Sequence, residues 1–257
     1  MRDHLMLLLD APMSAWGAEI IDARGGVRDF PGRSNLTGLI ANALGWDRSD
    51  GGCHDALQAR MRVAAVRVRE GATLRDFQTA KLEANDKGWT TRGRREDRAG
   101  GAATYDSPHI RERDWQADVA TLIALRLEPA DEAPTLDDVS AALDRPERPL
   151  FLGRKPAAPA GRIVMARRTA ATAFAALEAT IAQTPGLPFE RIRHGVGPRP
   201  LRAQWDPGEG PASGAIEGIA VDLCDERRWA LGAHGGMRQV FQGLLRRGQD
   251  ATSQVAS

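Results

Sequence analysis

Three side chains able to move protons or hold a phosphate lie close together in mid-sequence. Tyr105, the only tyrosine, is followed by His109 and Arg111. Metal-independent cleavage of RNA needs a base for the 2′-hydroxyl, an acid for the leaving oxygen and a cation for the phosphorus centre. A polar segment also produces such a cluster by chance, and we favour chance over catalysis here.

Other patterns that could support catalysis or metal binding are weak. Cys53 and His54 are adjacent, and Cys224 and His234 are too isolated for a zinc site. The sequence has neither a Gly-x-Ser-x-Gly elbow nor a Walker loop. The glycines of 232–236 are more typical of a turn than of a phosphate loop. We therefore expect no metal, no cofactor and no catalytic residue.

Phosphate binding has better support, at the start of a predicted helix. Arg28 and Arg33 precede the amphipathic stretch Ser34–Leu44. Backbone N–H groups and the helix dipole favour an anion at such a start. Ser34 and Asn35 could add hydrogen bonds to phosphate or sugar, and Ser34 is also the expected N-cap.

Charge is segregated along the chain, although the formal net charge is only +1. Arg145–Arg168 and Arg191–Arg202 are rich in arginine, whereas Glu128–Asp144 carries acids and no base. Such a chain can present one basic face while staying nearly neutral overall. Arginine suits phosphate recognition, but a GC-rich genome also favours arginine. Charge alone therefore does not distinguish a surface that binds nucleic acid from one that is simply exposed to solvent.

The bulk composition is that of a globular protein. The chain has 257 residues, of which 42% are hydrophobic and 27% charged, enough to bury a core. No apolar run is long enough to span a membrane, and Leu5–Leu9 is too short for a signal peptide. The two distant cysteines indicate no disulfide framework, so we expect a cytoplasmic protein.

The hydrophobic patterns predict the order strand, helix, strand, strand, helix, strand in the first two thirds of the chain. The segments are the strand His4–Leu9, the helix Ser34–Leu44 with Gly45 as its C-cap, the strands Val63–Arg69 and Trp115–Leu127, the helix Leu136–Leu143 and the strand Gly161–Arg167. Thr73–Thr79 is a candidate partner strand for Val63–Arg69. Further predictions are a loop at Ala11–Gly32, a short helix at Asp55–Arg60, a helix at Ala171–Gln183, strands at Ala215–Leu223 and Trp229–Ala233, and a disordered tail at Gln249–Ser257.

Two sequence blocks resemble the CasD family, the Cas-five subunits of CRISPR interference complexes. Ala11–Gly17 is similar to the family's Gly-Pro-Met-x-Ala-Trp-Gly, and Phe30–Leu39 resembles its Phe-Pro-x-Arg-Ser-x-x-x-Gly-Leu. Leu150–Lys155 resembles Leu-x-Leu-Gly-Arg-Arg/Lys. The similarity covers about Leu5 to Lys155, and little can be aligned beyond Arg168.

The resemblance implies an α+β fold. It consists of a ferredoxin-like domain of the RNA-recognition-motif type, a long β-hairpin thumb and a small C-terminal β-containing extension. On this chain the domain spans 1–168 with the thumb at 80–113, and the extension spans 169–248.

The family's role implies a non-catalytic subunit of a type I Cascade complex for antiviral defence. Such subunits hold the 5′ handle of the CRISPR RNA, kink the guide with the thumb, and contact the CasC backbone subunit and the CasA large subunit. Target DNA is met only through the complex, and no membrane is involved.

Carried onto this sequence, the resemblance implies an RNA-binding set and a thumb wedge. The RNA-binding candidates are Arg28, Arg33, Ser34, Asn35, Lys81, Lys87, Arg92, Arg94, Arg95, Arg98, His109, Arg111, Arg154 and Lys155. The wedge candidates are Leu82 and Trp89, which could equally pack on another subunit. Trp16 is expected to pack beneath its loop.

Two alternatives stay open from the sequence. Type I-C relatives process repeat RNA, which would require Tyr105, His109 and a lysine such as Lys81; however, the family's tyrosine lies early in the chain, where this sequence has Trp46. A free-standing RNA-recognition module is weaker, because only 5% of residues are aromatic.

Overall fold

A computed structural model describes residues 1–81, 87–89, 95–96, 108–184, 187, 200–211 and 218–245. Its helices are α1 (Arg33–Ala43), α2 (Gly51–Arg60), α3 (Leu136–Asp144) and α4 (Ala173–Gln183). Its strands are β1 (Arg2–Ser14), β2 (Gly17–Ile21), β3 (Arg24–Val27), β4 (Met61–Arg69), β5 (Ala72–Ala80), β6 (Gly88–Trp89), β7 (Arg95–Glu96), β8 (His109–Leu127), β9 (Val164–Ala170), β10 (Leu201–Trp205), β11 (Ile219–Leu223), β12 (Arg227–Arg228), β13 (Ala233–His234) and β14 (Arg238–Leu245). The fold is therefore mixed α and β.

One large sheet organises these elements, in the order β11-β14-β10-β4-β8-β1-β9 with antiparallel neighbours. Strand β8 is the longest, with 19 residues. Its second half lies between β1 and β4, and its first half pairs with β5 and, in parallel, with β3. The long strand thus connects the core to the segment that carries the predicted RNA contacts.

The centre of the sheet, formed by β1, β4 and the second half of β8, is buried on both faces. Leu5, Leu7 and Leu9 pack with α1, α2 and α3 on one face, whereas Met6 packs towards α4 on the other. Burial on both sides explains why the start of β1 is a continuous apolar run rather than an alternating one. In the part of the chain that the structure describes, no helix is long and apolar enough to cross a membrane.

The predicted loop at Ala11–Gly32 was wrong. Strand β1 continues to Ser14, and β2 and β3 form an antiparallel hairpin. The register of β1 with β8 omits Pro12, and β9 pairs with β1 only as far as Leu7. Proline has no N–H to donate, and here it lies where β1 has lost one neighbouring strand, which is the position that a strand tolerates.

The predicted N-cap at Ser34 was also wrong. Helix α1 begins at Arg33, and Gly32 is the N-cap residue, with its N–H donating to Asn35 Oδ1 at 3.0 Å. The next two N–H groups donate to Asp225, that of Arg33 to Oδ2 at 3.0 Å and that of Ser34 to the carbonyl at 2.9 Å. A distant segment therefore caps this helix, which sequence periodicity cannot reveal. The helix ends as predicted before Gly45, whose φ is 77°.

The last described strands extend the sheet beyond β4. Strand β11 spans Ile219–Leu223, and residues 215–217 of the predicted strand lie outside the described residues. Residues 229–232 form a turn between β12 and β13 instead of the predicted strand Trp229–Ala233. The predicted division into 1–168 and 169–248 stays a prediction, although β10 pairs directly with β4. The predicted tail at 249–257 lies outside the described residues.

Candidate nucleic-acid interface

The hairpin of β5 and β8 carries cations on one of its faces. Its register pairs Gln78 with Arg111, Asp76 with Arg113 and Leu74 with Trp115. Because side chains alternate along a strand, these pairs share a face, and His109 continues it opposite Ala80. We call His109, Arg111, Arg113 and Trp115, together with Arg154 beside them and the exposed Lys155 that follows it, the basic face.

Arg154 is the best-defined cation of the basic face. Its guanidinium carbon lies 4.6 Å from the centroid of the Trp115 ring, and its Nη1 donates to the Asp114 carbonyl at 3.1 Å. Trp115 is only 5% exposed, so the arginine covers a buried ring. Partial burial and the nearby Arg113 lower the pKa of Arg154, whereas Asp76 and Asp114 oppose this shift. The guanidinium is therefore held in place and partly dehydrated, which strengthens its attraction for an anion.

A glycine turn positions Arg154. Gly153 has a φ of 96°, and a Cβ on it would lie 2.0 Å from the Ala15 carbonyl oxygen. The turn is fixed to the end of β1, since the N–H of Ala15 donates to the Leu152 carbonyl at 3.1 Å. Lys155 follows at an exposed position. Close backbone approach thus explains why a glycine precedes Arg154.

The acid beside this site is already paired. Asp114 accepts from Arg75 Nε at 2.8 Å and lies 3.7 Å from Arg24 Nη2. The hydrogen bond from Arg75, with the charges of Arg75 and Arg24, lowers the pKa of Asp114, although burial opposes the shift. Asp114 and Arg75 are paired with each other across the strands and lie on the hairpin face opposite Arg113. The remaining acid of the basic face is Asp76, which accepts from Gln78 Nε2 at 2.6 Å.

Arg28 and Arg33 lie in a different environment from the basic face. Arg33 donates to Asp206 at 2.7 Å and to Glu226 at 2.8 Å, and its side chain is 12% exposed. Arg28 donates to the carbonyls of Gly17 and Cys224, at 3.2 and 3.1 Å. Both arginines thus tie the start of α1 to the C-terminal part of the chain. Phosphate contacts by Arg28, Arg33, Ser34 and Asn35 stay predictions and would compete with these partners.

The charge segregation seen in sequence is largely cancelled in space. Arg148 pairs with Asp47 at 2.7 Å, Arg162 with Asp144 at 2.6 Å, and Arg167 with Asp137. Arg202 pairs with Glu70 and Asp29. The acidic helix therefore neutralises part of the basic run that follows it. Arg154 and Lys155 are the members of that run that lie on the basic face.

Several residues predicted to lie in the thumb are outside the described residues, namely Leu82, Arg92, Arg94, Arg98 and Tyr105. Trp89 and Arg95 are opposite each other in the short pair β6–β7, and Lys81 and Lys87 are exposed.

Among the described residues, no group of three His, Cys, Asp or Glu could hold a metal. Trp16, expected to pack beneath its loop, is 2% exposed.

Sequence analysis missed Arg113 and the supporting role of Trp115. It began the strand at Trp115, so the preceding cations were interpreted as part of a loop. The signal that could have revealed them is the alternation of Arg111, Arg113 and Trp115, in which every second residue is basic or aromatic.

Comparison with known structures first defines the class of fold. A chain of a CRISPR RNA-guided surveillance complex superposes with a TM-score of 0.63 at 21% identity, covering 94% of this chain and 90% of that chain. A crystal structure of a Cas protein gives a TM-score of 0.57 at 22% identity, covering 95% of each chain. The fold is that of Cas proteins.

Sequence comparison then identifies the family. Residues 4–241 match the family described as CRISPR-associated protein (Cas_Cas5). The chain belongs to this family, which confirms the resemblance seen in Ala11–Gly17 and Phe30–Leu39. The Cascade subunit CasD of Escherichia coli (strain K12) is 29% identical over 155 residues. That alignment covers 60% of this chain and 66% of CasD, just under two thirds of the relative's length.

Proposed function

We propose that this chain is a non-catalytic subunit of a CRISPR surveillance complex that holds the 5′ handle of the guide RNA on its basic face. One observation carries the proposal: Arg154 is fixed over Trp115, and Arg113 lies close enough to lower the pKa of Arg154. Clustered cations beside a glycine turn suit a sugar–phosphate backbone, because little side-chain bulk separates the strand from the protein.

We also propose that the four strands β9-β1-β8-β4 form a ferredoxin-like domain. When these four strands are numbered 1 to 4 in chain order, their order in the sheet is 4-1-3-2, which supports this proposal. Helices α1 and α3 also pack on the same face of the sheet. The paired arms β5 and β8 would form the base of the thumb, whose predicted tip would kink the guide.

The proposed function also requires neighbouring subunits in the complex. A CasC-like backbone subunit and a CasA-like large subunit would lie beside this chain in a cytoplasmic complex. The support is family membership and the Cascade subunit named among its relatives. Target DNA would be contacted only through the assembled complex.

The test compares complexes purified with the wild-type chain, with Arg111→Ala/Arg113→Ala/Arg154→Ala, and with Arg148→Ala/Arg162→Ala/Arg167→Ala. The second triple variant removes the same number of arginines, but from positions paired with carboxylates. We expect the first variant to leave the guide 5′ end open to nuclease trimming and the second to protect it. Equal protection in both would contradict the proposal.

The absence of catalysis is tested separately. Incubating the purified chain with repeat RNA in EDTA is expected to leave the RNA intact. Cleavage that disappears in His109→Ala would assign the chain a processing activity instead.

A further inference from the structure

A polar groove lies between the segment that precedes α1 and the C-terminal strands. Its volume is about 240 Å³, and Gln204 and Gln242 form part of its lining with Phe30 and Leu223. It is separate from the basic face, and one of its walls contains Arg28, a predicted RNA contact, and Phe30 and Gly32 of the family block, whereas Gln204 and Gln242 on the other wall were not predicted. The groove is small for a drug-sized ligand and matches a flat group the size of one base or nucleoside.

Two glutamine amides form the recognition surface of this groove. Gln204 and Gln242 are direct cross-strand partners in β10 and β14, and Gln242 Nε2 donates to Gln204 Oε1 at 3.0 Å. Gln204 is only 8% exposed. Within the described part of the chain, no hydrogen bond reaches Gln204 Nε2 or Gln242 Oε1. A donor and an acceptor are thus left side by side, the pair that the edge of a nucleobase can satisfy.

The charges around the groove favour a neutral ligand. Three of its lining residues are charged: the carboxylates Asp29 and Asp225, and Arg28, whose guanidinium donates to the carbonyls of Gly17 and Cys224. Asp29 is paired with Arg67 at 2.8 Å and Arg202 at 2.7 Å, and Asp225 with Arg238 at 2.6 Å. A phosphate would meet these carboxylates, whereas a base meets amides and the apolar side chains of Phe30 and Leu223.

The walls of the groove are closely packed, and one of them is hydrogen-bonded to the strand that carries the basic face. A Cβ on Gly32 would lie 2.9 Å from Asp225 Cβ, so the two walls approach as closely as the glycine allows. Gln116, the residue after Trp115, donates through Nε2 to the Arg28 carbonyl at 2.8 Å. This bond fixes the wall of the groove to β8 beside the basic face.

We propose that this groove binds one unpaired nucleobase of the guide RNA, held at its edge by Gln204 and Gln242. The inference rests on the proposed function, because that function supplies a single strand next to the groove. The basic face would then bind the backbone, and the groove would distinguish one base position from the others.

The experiment uses the full-length chain and single-stranded RNA of the 5′ part of the guide, with each base in turn replaced by an abasic site. For the wild type we expect one position at which the abasic site weakens binding about 10-fold, the scale of one good base contact. Gln242→Ala should weaken binding of the intact RNA by a similar factor and show no further loss at that position. Gln239→Ala, on the same strand and exposed, is the matched control and should behave as the wild type.

Two results would overturn the inference while leaving RNA binding by the basic face intact. One is that Gln242→Ala and the abasic site weaken binding independently of each other at every position, and the other is that the wild type has no sensitive position. A wild-type chain that bound no RNA would instead refute the proposed function. In that case saturation-transfer NMR with the four free nucleosides decides the remaining question. A signal that Gln242→Ala abolishes would support a base pocket, and no signal from any nucleoside would exclude it.

Discussion

At the scale of single residues, arginines that look alike in the sequence have different environments. Arg162 forms two hydrogen bonds with Asp144, at 2.7 and 2.6 Å. Arg154, a few residues earlier, instead covers the Trp115 ring. A carboxylate partner satisfies the cation within the protein, whereas an aromatic ring leaves it able to bind an external anion. Partner identity, and not the density of basic residues, therefore selects the candidates for RNA contact.

This difference predicts that replacing Arg154 or Arg162 by alanine will change RNA affinity by different amounts. Arg154→Ala should weaken binding of single-stranded guide RNA about 10-fold, because a partly dehydrated cation contributes about one strong charge-assisted contact. Arg162→Ala removes the same charge from a site already paired with Asp144, and its affinity should stay within about twofold of wild type. Fluorescence anisotropy measures both, and equal losses would argue against a specific role for Arg154.

At the scale of elements, the turn at Gly153 is the feature on which the basic face depends most. Gly153→Ala should lower the free energy of unfolding by about 1–3 kcal/mol, because it forces a side chain into left-handed backbone. It should also weaken RNA binding, because Arg154 can no longer lie over Trp115. Gly161→Ala is the control, since nothing lies within 4 Å of its Cβ position. Urea denaturation and anisotropy together test the pair; an RNA affinity unchanged in Gly153→Ala would separate the turn from binding.

Helix α4 is anchored by a buried carboxylate. Glu209 Oε2 accepts from the N–H of Ala173 at 2.8 Å, and Oε1 accepts from Arg126 Nε at 2.7 Å. Burial alone would raise the pKa of Glu209, but the neighbouring His4, Arg126 and Ala173 N–H outweigh burial and lower it to about 2. The ionised carboxylate therefore stabilises the fold fully above pH 4.5, the ordinary value, and this contribution is lost as the pH falls towards 2.

Glu209→Gln should consequently lower the free energy of unfolding at neutral pH by about 3 kcal/mol, because the buried Arg126 loses its buried charge partner and keeps only the half-exposed Glu128, at 3.3 Å. The variant should also lose part of the wild type's acid sensitivity between pH 4.5 and 2. Chemical denaturation across that range measures both effects. Glu132→Gln, whose side chain is 63% exposed, should change stability by less than about 1 kcal/mol. A pH profile identical to that of the wild type would contradict the assignment.

The elements that sequence analysis predicted correctly are those with local signals. The apolar periodicity of α1, α3 and α4 and the apolar runs of β1, β4 and β8 located the core. The capping of α1 by Asp225 and the placement of β10 beside β4 depend on contacts between distant residues, which leave no periodic trace. The same reason hid the groove, because Gln204 and Gln242 meet only through the register of two late strands.

At the scale of the whole molecule, the basic face predicts how binding responds to salt. Its arginines and lysine, Arg111, Arg113, Arg154 and Lys155, would displace condensed cations from single-stranded RNA. Each phosphate contact to a single strand releases about 0.7 of a condensed cation. With four such contacts, a plot of the logarithm of the association constant against the logarithm of the salt concentration should have a slope of about −3. Each substitution to alanine within this set should make the slope shallower by about 0.7. Equilibrium titrations over a salt series test this, and an unchanged slope in the fourfold variant would contradict a phosphate-binding surface.

The pairing of β8 also has a consequence for how the chain reaches its folded state. Strand β8 pairs with β1, formed more than a hundred residues earlier, and β4 gains its outer neighbour β10 only after residues 201–205 have been made. Contacts so distant in sequence require large loops to close before any pairing energy is recovered, which slows folding. During synthesis, the edge of β4 therefore stays unpaired until late. The nascent chain thus passes through a stage with an open sheet edge, when association with other chains competes most strongly with folding.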